Sequence, residues 1–143
     1  MFPARAPKAY SILLAEDLTL VREALVALCE TWASYRVVSQ CSEGTTALRV
    51  IESEKPDIAI LDLNLRDLPT LEIVRRLREA QSQTRIVILS TRSDRKTVVE
   101  ALRLGANAFL LKSDPTNYLL EAFDQILDGG IYIRPKVLPR TPP

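Results

Sequence analysis

Short and almost uninterrupted apolar runs alternate along the chain with longer stretches in which apolar residues recur every three or four positions. The clearest runs are 11–15, 57–61 and 85–89, and segments 35–39 and 106–111 are weaker examples. Continuous apolar character, without strict alternation, is typical of strands in a parallel sheet that is covered on both faces. The pattern therefore predicts five strands, most of them fully buried.

The stretches between these runs have the spacing of amphipathic helices. Three sets of apolar residues each fall on one helical face: Leu18, Val21, Leu25, Leu28, Cys29 and Trp32; Leu71, Val74 and Leu77; and Leu119, Ala122, Phe123 and Ile126. Gly105 and Gly129 are expected just past the ends of the last two helices, because glycine readily adopts the left-handed conformation found there. Asp114 is a candidate N-cap of the last helix, with Pro115 in its first turn.

Five strands that alternate with five helices predict a doubly wound α/β domain with a parallel sheet. Because crossovers between parallel strands are right-handed, the carboxyl ends of all the strands lie at one edge of the sheet. Ligands of such folds bind at that edge, near the point where the strand order reverses. Polar residues that directly follow the strands are therefore expected to form one site.

Polar residues do follow four of the five predicted strands. Glu16 and Asp17 follow the first strand, Asp62 the third, Ser90 the fourth and Lys112 the fifth. Two carboxylates ~4 Å apart repel by roughly 4 kcal/mol at an effective dielectric constant of about 20, and one lysine cannot offset three of them. A hard divalent cation can, and ligation by a few protein oxygens suits Mg²⁺. Each residue alone fits a cap, a turn or a solvated charge, but together they predict a metal-assisted phosphoryl site.

Composition narrows the chemistry further. The 143 residues are 47% apolar and 26% charged with a net charge of +1, a balance typical of one soluble globular domain and expected of a cytoplasmic protein. There is no histidine, which excludes Ser-His-Asp and Cys-His triads and the usual zinc sites. Any phosphohistidine must therefore belong to another molecule. Cys29 and Cys41 are too few for a disulfide framework and are expected to be small buried apolar residues.

Four segments resemble the marker motifs of response regulator receiver domains of two-component systems. They are 14–17, 60–64, 88–90 and 109–112, and the resemblance runs in order and spacing from about Tyr10 to Gly130. The sequences Leu-Asp-Leu-Asn and Ala-Phe-Leu-Leu-Lys-Ser, with the ending 128–132, look most like the LuxR-type (NarL/FixJ) branch. The resemblance implies the (βα)5 flavodoxin-like receiver fold, with a parallel five-stranded sheet in the order 2-1-3-4-5.

The resemblance also implies how the acidic residues act. Asp62 is the expected phosphoacceptor, which attacks the phosphorus of a kinase phosphohistidine and becomes an acyl phosphate. Asp17 and Asp62 would ligate Mg²⁺ directly, and the backbone carbonyl of Asn64 would be a third protein ligand. Glu16 would act on the ion through water. This division of roles is the positioning and charge neutralisation that phosphoryl transfer requires.

Other implied roles concern the phosphoryl group itself. Lys112 would pair with Asp62 and then with a phosphoryl oxygen, while Ser90 would hydrogen-bond another one. Phe109 occupies the aromatic switch position, although ordinary core packing explains it equally well. Two positions depart from the family pattern, because Arg66 stands where proline is usual and Thr70 where glycine is common. Both residues bear on the conformation of this loop and on the phosphoryl lifetime, and Arg66 is a candidate contact for the phosphoryl group or a partner.

The sequence predicts three segments. Residues 1–9 would be a flexible N-terminal tail, residues 10–130 the receiver domain, and residues 131–143 a proline-rich linker or tail. LuxR-type regulators normally continue into a helix-turn-helix DNA-binding domain, and none follows Gly130 in this chain. We expect the receiver half of a longer transcription regulator, with a stand-alone receiver that acts through protein contacts as the alternative.

The expected function is a signalling switch, not an enzyme beyond its own Mg²⁺-dependent phosphorylation and dephosphorylation. A Mg²⁺-dependent phosphatase of the aspartyl-phosphate type is disfavoured. Such hydrolases have a second Asp two residues after the nucleophile, and in this chain that position is Asn64. A pseudo-receiver, serving only as an interaction module, is disfavoured by the intact residue set.

The expected partners are a sensor histidine kinase and, on activation, a second copy of the chain. Phosphorylation would draw in Ser90, let Phe109 move inward and change the surface of the fourth helix, fifth strand and fifth helix. Tyr118, Leu120 and Leu127, off the core-facing stripe of the last helix, are candidates for an apolar partner surface. DNA would be bound only through a further domain, and no contact with a membrane is expected.

Overall fold

The computed structural model describes residues 9–134, and residues 1–8 and 135–143 lie outside the described part. The elements are β1 (Tyr10–Ala15), α1 (Thr19–Glu30), β2 (Tyr35–Cys41), α2 (Gly44–Glu54), β3 (Ile58–Asp62), α3 (Thr70–Glu79), β4 (Arg85–Ser90), α4 (Arg95–Leu104), β5 (Ala108–Leu111), α5 (Asn117–Leu127) and β6 (Tyr132–Ile133). The predicted alternation of five strands and five helices is confirmed. The short strand β6 is an addition that the sequence pattern did not predict.

The sheet is parallel throughout, with the order β2-β1-β3-β4-β5-β6. This order confirms the predicted 2-1-3-4-5 and places β6 beside β5. Strand β1 lies between β2 and β3, so the chain leaves β1 in one direction and reaches β3 in the other. The strand order reverses at this point, and the residues that follow β1 and β3 are therefore neighbours at the carboxyl edge.

Helices cover both faces of the sheet and produce two apolar cores. On one face, Leu13 and Leu61 pack with apolar residues of α2, α3 and α4. On the other face, Ile12 and Ile60 pack with α5 and with Cys29 of α1. All five residues of β3 are buried, which explains why that strand has an uninterrupted apolar run. Within residues 9–134, no helix is long and apolar enough to cross a membrane.

The structure corrects the predicted start of α5. The helix begins at Asn117, with Thr116 as the N-cap residue. The Asp114 carboxylate instead accepts a hydrogen bond from the backbone N–H of Leu111 at 2.9 Å, so it closes the β5–α5 loop. Pro115 consequently precedes the helix. The predicted helix ends agree with the structure. Gly105 and Gly129 both have positive φ, at 116° and 90°.

The chain beyond Gly130, predicted as a linker or tail, contributes to the sheet in its first residues. The backbone N–H of Tyr132 donates to the Asn107 carbonyl at 3.0 Å, and that of Arg134 donates to the Phe109 carbonyl at 2.9 Å. The Tyr132 side chain is buried. These contacts satisfy the free edge of β5, which a five-stranded sheet would leave unpaired. The rest of the predicted tail, from residue 135, and nearly all of the predicted N-terminal tail lie outside the described residues.

The loop between β3 and α3 is fastened to the start of α2. The Asp67 carboxylate accepts hydrogen bonds from the backbone N–H groups of Gly44 at 2.9 Å and Thr45 at 3.2 Å. The Gly44 N–H also reaches the Arg66 carbonyl at 3.1 Å, and Glu43 forms an isolated parallel bridge with Arg66. Two of the free N–H groups at the start of α2 are thereby satisfied from a distant loop.

The left-handed conformation in this loop is at Asp67, whose φ is 66°. Aspartate is among the residues that tolerate this conformation best after glycine. Thr70, which stands where the family commonly has glycine, is the first residue of α3 and is fully buried. Its hydroxyl donates a hydrogen bond to the Asp62 backbone carbonyl at 2.5 Å. The threonine therefore ties the start of α3 to the end of β3.

We expect Gly44→Ala to lower the stability of the domain. A Cβ at residue 44 would collide with the backbone carbonyl oxygen of Leu68, so the loop or the helix would have to move. Overpacking of this kind costs about 1–3 kcal/mol of the free energy of unfolding, which urea denaturation measures. Glu52→Ala, an exposed change on the same helix, is the control, with a change within about 0.5 kcal/mol. Equal stability of both variants would show that the loop is not held in this way.

Candidate functional site

Three carboxylates converge at the carboxyl edge of the sheet. One oxygen from each of Glu16, Asp17 and Asp62 lies within 4.8 Å of the other two. Glu16 and Asp62 are only 1% and 6% exposed, while Asp17 is partly exposed. Glu16 and Asp17 follow β1 and Asp62 ends β3, so these side chains come from neighbouring strands at the point of strand-order reversal.

Backbone hydrogen bonds hold the residues that directly follow the strands at this site. The Glu16 N–H donates to the Cys41 carbonyl at 3.0 Å, and the Leu63 N–H donates to the Leu89 carbonyl at 2.8 Å. Both bonds continue the pairing of adjacent strands beyond the strand ends. The acidic side chains are therefore attached to rigid backbone, which keeps them close although they repel one another.

Lys112 reaches into the acidic cluster from the loop after β5. Its Nζ lies 2.5 Å from Glu16 Oε1 and 3.3 Å from Asp62 Oδ2. We expected a pair with Asp62, and the structure has Glu16 as the nearer partner. Burial alone would lower the pKa of Lys112, but the hydrogen bond to Glu16 and the charge of Asp62 raise this pKa above its ordinary value. The ammonium group is therefore charged at neutral pH.

Glu16 is the carboxyl group that the site perturbs most. Burial, assisted by the neighbouring Asp62 carboxyl and opposed by Lys112, raises the pKa of Glu16 from 4.5 to about 7. Among the described residues, Glu16 Oε2 is buried and has no hydrogen-bond partner. A buried polar atom without a partner is costly and calls for an explanation, which a bound ion can supply. Oε2 is therefore available to a ligand from outside the chain.

The cluster fits a small divalent cation. Its donors are all carboxylate oxygens, and three of them lie within the reach of a single ion. Negative charge exceeds positive charge, since Lys112 is one ammonium group among three carboxylates. The orphaned oxygen of Glu16 supplies an open ligand position. Hard oxygen donors with an excess of negative charge are the ligand set that Mg²⁺ and similar cations select.

The other predicted site residues lie around this cluster. The Asn64 side chain is exposed, and its backbone N–H donates to Asp62 Oδ1 at 3.2 Å. The Ser90 hydroxyl lies at the end of β4, where it donates to the Arg92 carbonyl at 2.5 Å and accepts from the Arg92 N–H at 3.1 Å. In this conformation Ser90 is thus bonded within its own loop and not to the carboxylates.

Phe109 is 0% exposed and packs in the core between the sheet and the α3–α4 layer. We expected an inward movement of this ring on phosphorylation. The ring is already buried in this conformation, and the switch role of Phe109 stays a prediction. The core-packing interpretation of Phe109 describes the observed conformation.

Some contacts of the site had no signal in the sequence pattern. Arg22 of α1 donates from Nη1 to the Glu16 backbone carbonyl at 2.6 Å, which holds the end of β1. The bond from the Thr70 hydroxyl to the Asp62 carbonyl holds the end of β3 in the same way. Arg66 Nε lies 3.9 Å from Asp17 Oδ2. The sequence marked Arg66 and Thr70 as departures from a family pattern but did not indicate these partners.

Comparison with known proteins agrees with this geometry. Residues 12–124 match the response regulator receiver domain family. The chain is similar to the nitrate/nitrite response regulator protein NarL of Escherichia coli (strain K12), with 33% identity over 129 residues. It is also similar to the transcriptional regulatory protein YdfI of Bacillus subtilis (strain 168), with 30% identity over 129 residues. Both matches cover 90% of this chain and 60% of the relative, so the chain spans about 60% of their length.

Solved structures give the same result. A LuxR-family two-component response regulator from Aurantimonas sp. SI85-9A1 superimposes with a TM-score of 0.85 at 28% identity, covering 91% of this chain and 93% of that one. The signal receiver domain of the response regulator NarL from Mycobacterium tuberculosis superimposes with a TM-score of 0.82 at 27% identity, covering 86% and 99%. The chain therefore belongs to the response regulator receiver domain family, and its relatives place it in the LuxR-type branch of two-component regulators.

Proposed function

We propose that this domain is a phosphorylation switch that accepts a phosphoryl group on Asp62 with the help of Mg²⁺. The observation that carries the proposal is the position of the Asp62 carboxylate. One of its oxygens lies 3.3 Å from Lys112 Nζ, and the carboxylate shares a metal-sized cluster with Glu16 and Asp17. Asp62 thus combines a carboxylate nucleophile with the positive charges that a transferring phosphoryl group needs.

The chain's own residues divide the work of the transfer. An Asp62 carboxylate oxygen attacks phosphorus, the new P–O bond forms, and the bond from phosphorus to the leaving group of the donor breaks. The Lys112 ammonium group moves from the Asp62 carboxylate to a phosphoryl oxygen. The Ser90 hydroxyl leaves the Arg92 carbonyl and donates to another phosphoryl oxygen. Asp17 and Asp62, with the Asn64 carbonyl, would hold Mg²⁺ directly and Glu16 would hold it through water, and the ion would supply positive charge for the phosphoryl oxygens.

The phosphoryl donor is a phosphohistidine of a sensor histidine kinase. This chain contains no histidine, so a phosphohistidine donor would lie outside it. Leu18 and Leu20 are exposed next to Asp17 at the start of α1, where an incoming kinase would meet apolar surface. These partners are consistent with action in the cytoplasm.

The proposed output is a domain that would follow this chain. The relatives are named as regulators of transcription and nitrate or nitrite response, and this chain covers only 60% of them. We propose that a helix-turn-helix domain follows, and that the receiver controls it. A stand-alone receiver that signals through protein contacts is the second candidate.

The C-terminal segment is well placed to receive the signal. Arg134 Nε lies 3.8 Å from Asp114 Oδ1, and the Arg134 guanidinium lies 3.7 Å from the centre of the Tyr118 ring. Asp114 closes the loop that carries Lys112. A displacement of Lys112 toward a phosphoryl group would therefore move a loop that touches the chain where it leaves the domain.

Asp62 should be the single site of modification. Incubation with Mg²⁺ and acetyl phosphate, followed by intact-mass and peptide mass spectrometry, should show one phosphoryl adduct on Asp62. Asp62→Asn should remove the adduct, while Asp128→Asn, an exposed change at the end of α5, should retain it. An adduct of equal yield on the Asp62→Asn protein would show that another residue is the acceptor.

Mg²⁺ should stabilise the wild-type domain, because it binds the folded carboxylate cluster and not the unfolded chain. At a concentration of 100 times Kd the gain is about 2.7 kcal/mol, which calorimetry detects as a higher melting temperature. Asp17→Asn should lose most of the response, and the exposed Asp128→Asn control should keep it. A full response in Asp17→Asn would place the ion elsewhere on the protein.

Glu16 should make the metal-free domain less stable as pH rises. Its pKa is raised from 4.5 to about 7 by folding, so the folded state keeps its proton to higher pH than the unfolded state. The free energy of unfolding therefore falls between those two pH values and levels off above them. Glu16→Gln should remove this decrease and be more stable at about pH 8 by roughly 1–3 kcal/mol.

Urea denaturation in EDTA across this pH range measures the effect, with Glu52→Gln, an exposed change on α2, as the control. The control should follow the wild-type profile. If Glu16→Gln also follows the wild-type profile, the Glu16 carboxyl is not the group that makes stability fall with pH.

Phosphorylation should shift the domain toward a dimer and change the protection of its C-terminal strand. Symmetric pairing is the commonest assembly and suits helix-turn-helix domains that read two half-sites. Sedimentation with and without beryllofluoride and Mg²⁺ tests self-association, and amide exchange tests residues 108–134. An unchanged mass distribution together with unchanged exchange would reject this coupling.

A further inference from the structure

Arg66 is a second cation at the edge of the acidic cluster. Its Nε lies 3.9 Å from Asp17 Oδ2. Lys112 is already placed between Glu16 and Asp62, at 2.5 and 3.3 Å. The two cations thus contact different members of the cluster, and Arg66 contacts the carboxylate that Lys112 does not reach within ion-pair distance.

The backbone of Arg66 is held firmly although its side chain is 69% exposed. The Arg66 carbonyl accepts a hydrogen bond from the Gly44 N–H, and Arg66 forms a parallel bridge with Glu43. The next residue, Asp67, is bonded to the start of α2. These contacts fix where the Arg66 side chain begins, so its guanidinium stays near Asp17 at a reduced entropic cost.

A divalent cation and the Arg66 guanidinium would compete for the Asp17 carboxylate. The three carboxylates lie within the reach of one ion, and Asp17 is the most accessible of them. A metal ion that takes Asp17 as a ligand replaces the favourable interaction with Arg66 and places two positive charges close together. Both effects weaken metal binding, and both are electrostatic and therefore sensitive to salt.

We propose that Arg66 is an internal counterion that competes with the divalent cation for Asp17 and so raises the Mg²⁺ concentration at which the site fills. This inference rests on the proposed function, because it takes the cluster to be the Mg²⁺ site. It assigns to Arg66 a regulatory influence on metal loading and no contact with the phosphoryl group.

The test is a Mg²⁺ titration of Arg66→Gln, Arg66→Lys and wild type, followed by amide chemical shifts of the domain. Arg66→Gln should bind Mg²⁺ about two- to fivefold more tightly, the range that corresponds to an exposed ion pair. Arg66→Lys should stay near the wild-type Kd, because it keeps the charge. Arg103→Gln makes the same change of net charge at the exposed far end of α4 and should leave Kd unchanged.

Two further measurements separate an electrostatic competition from a merely structural role of Arg66. High salt should shrink the difference between Arg66→Gln and wild type. In EDTA, Arg66→Gln and Asp17→Asn should be non-additive in the free energy of unfolding, since the two side chains share one ion pair. If Arg66 had only a structural role, salt would not change the difference in Kd, and the substitutions at Arg66 and Asp17 would show no coupling.

The inference is overturned if Arg66→Gln binds Mg²⁺ with the wild-type Kd or more weakly, or if Arg103→Gln gives the same increase. These outcomes would leave the proposed function intact as long as wild type binds Mg²⁺ and Asp17→Asn does not. If wild type binds no Mg²⁺, or if Asp17→Asn binds it normally, the metal site of the proposed function fails and this inference fails with it.

Discussion

Repulsion among three carboxylates at one edge of the sheet is the interaction on which the site depends. Two of them are almost fully buried, and a single ammonium group, Lys112, lies between them. Burial, with a contribution from the neighbouring Asp62 carboxyl, raises the pKa of Glu16, and its Oε2 has no hydrogen-bond partner among the described residues. A cation relieves this imbalance, whereas a phosphoryl group on Asp62 would add negative charge, so metal binding and phosphoryl transfer at this edge would be coupled by charge.

The fold holds these charges together through its most rigid parts. Strands β1 and β3 are neighbours, and their buried residues pack in both cores. Hydrogen bonds from Arg22 and Thr70 fasten the backbone at Glu16 and Asp62. By contrast, Lys112 lies in the loop after β5 and Ser90 ends β4, and both make their contacts through side-chain atoms that can exchange partners. Rigid acceptors with movable donors suit a switch that must hold a charged group for a time and then lose it.

The sequence predicted the fold and the meeting of Glu16, Asp17, Asp62 and Lys112, because strand order and handedness alone bring the strand ends together. Details that depend on contacts between distant segments were beyond it. The anchoring of Asp67 on Gly44, the nearer approach of Lys112 to Glu16, and the pairing of β6 with β5 are of this kind. Asp114 was wrong as a helix cap because its carboxylate found a nearer backbone partner in Leu111.

A crystal structure of the domain with Mg²⁺ and beryllofluoride would test the charge arrangement most directly. We predict beryllofluoride on the Asp62 carboxylate, a metal ion among Glu16, Asp17 and Asp62, and Lys112 Nζ moved from Glu16 to a fluorine atom. The Ser90 hydroxyl would leave the Arg92 carbonyl for another fluorine. Beryllofluoride or a metal ion bound away from Asp62 would contradict this arrangement. So would a Lys112 Nζ that stays 2.5 Å from Glu16 when beryllofluoride is bound.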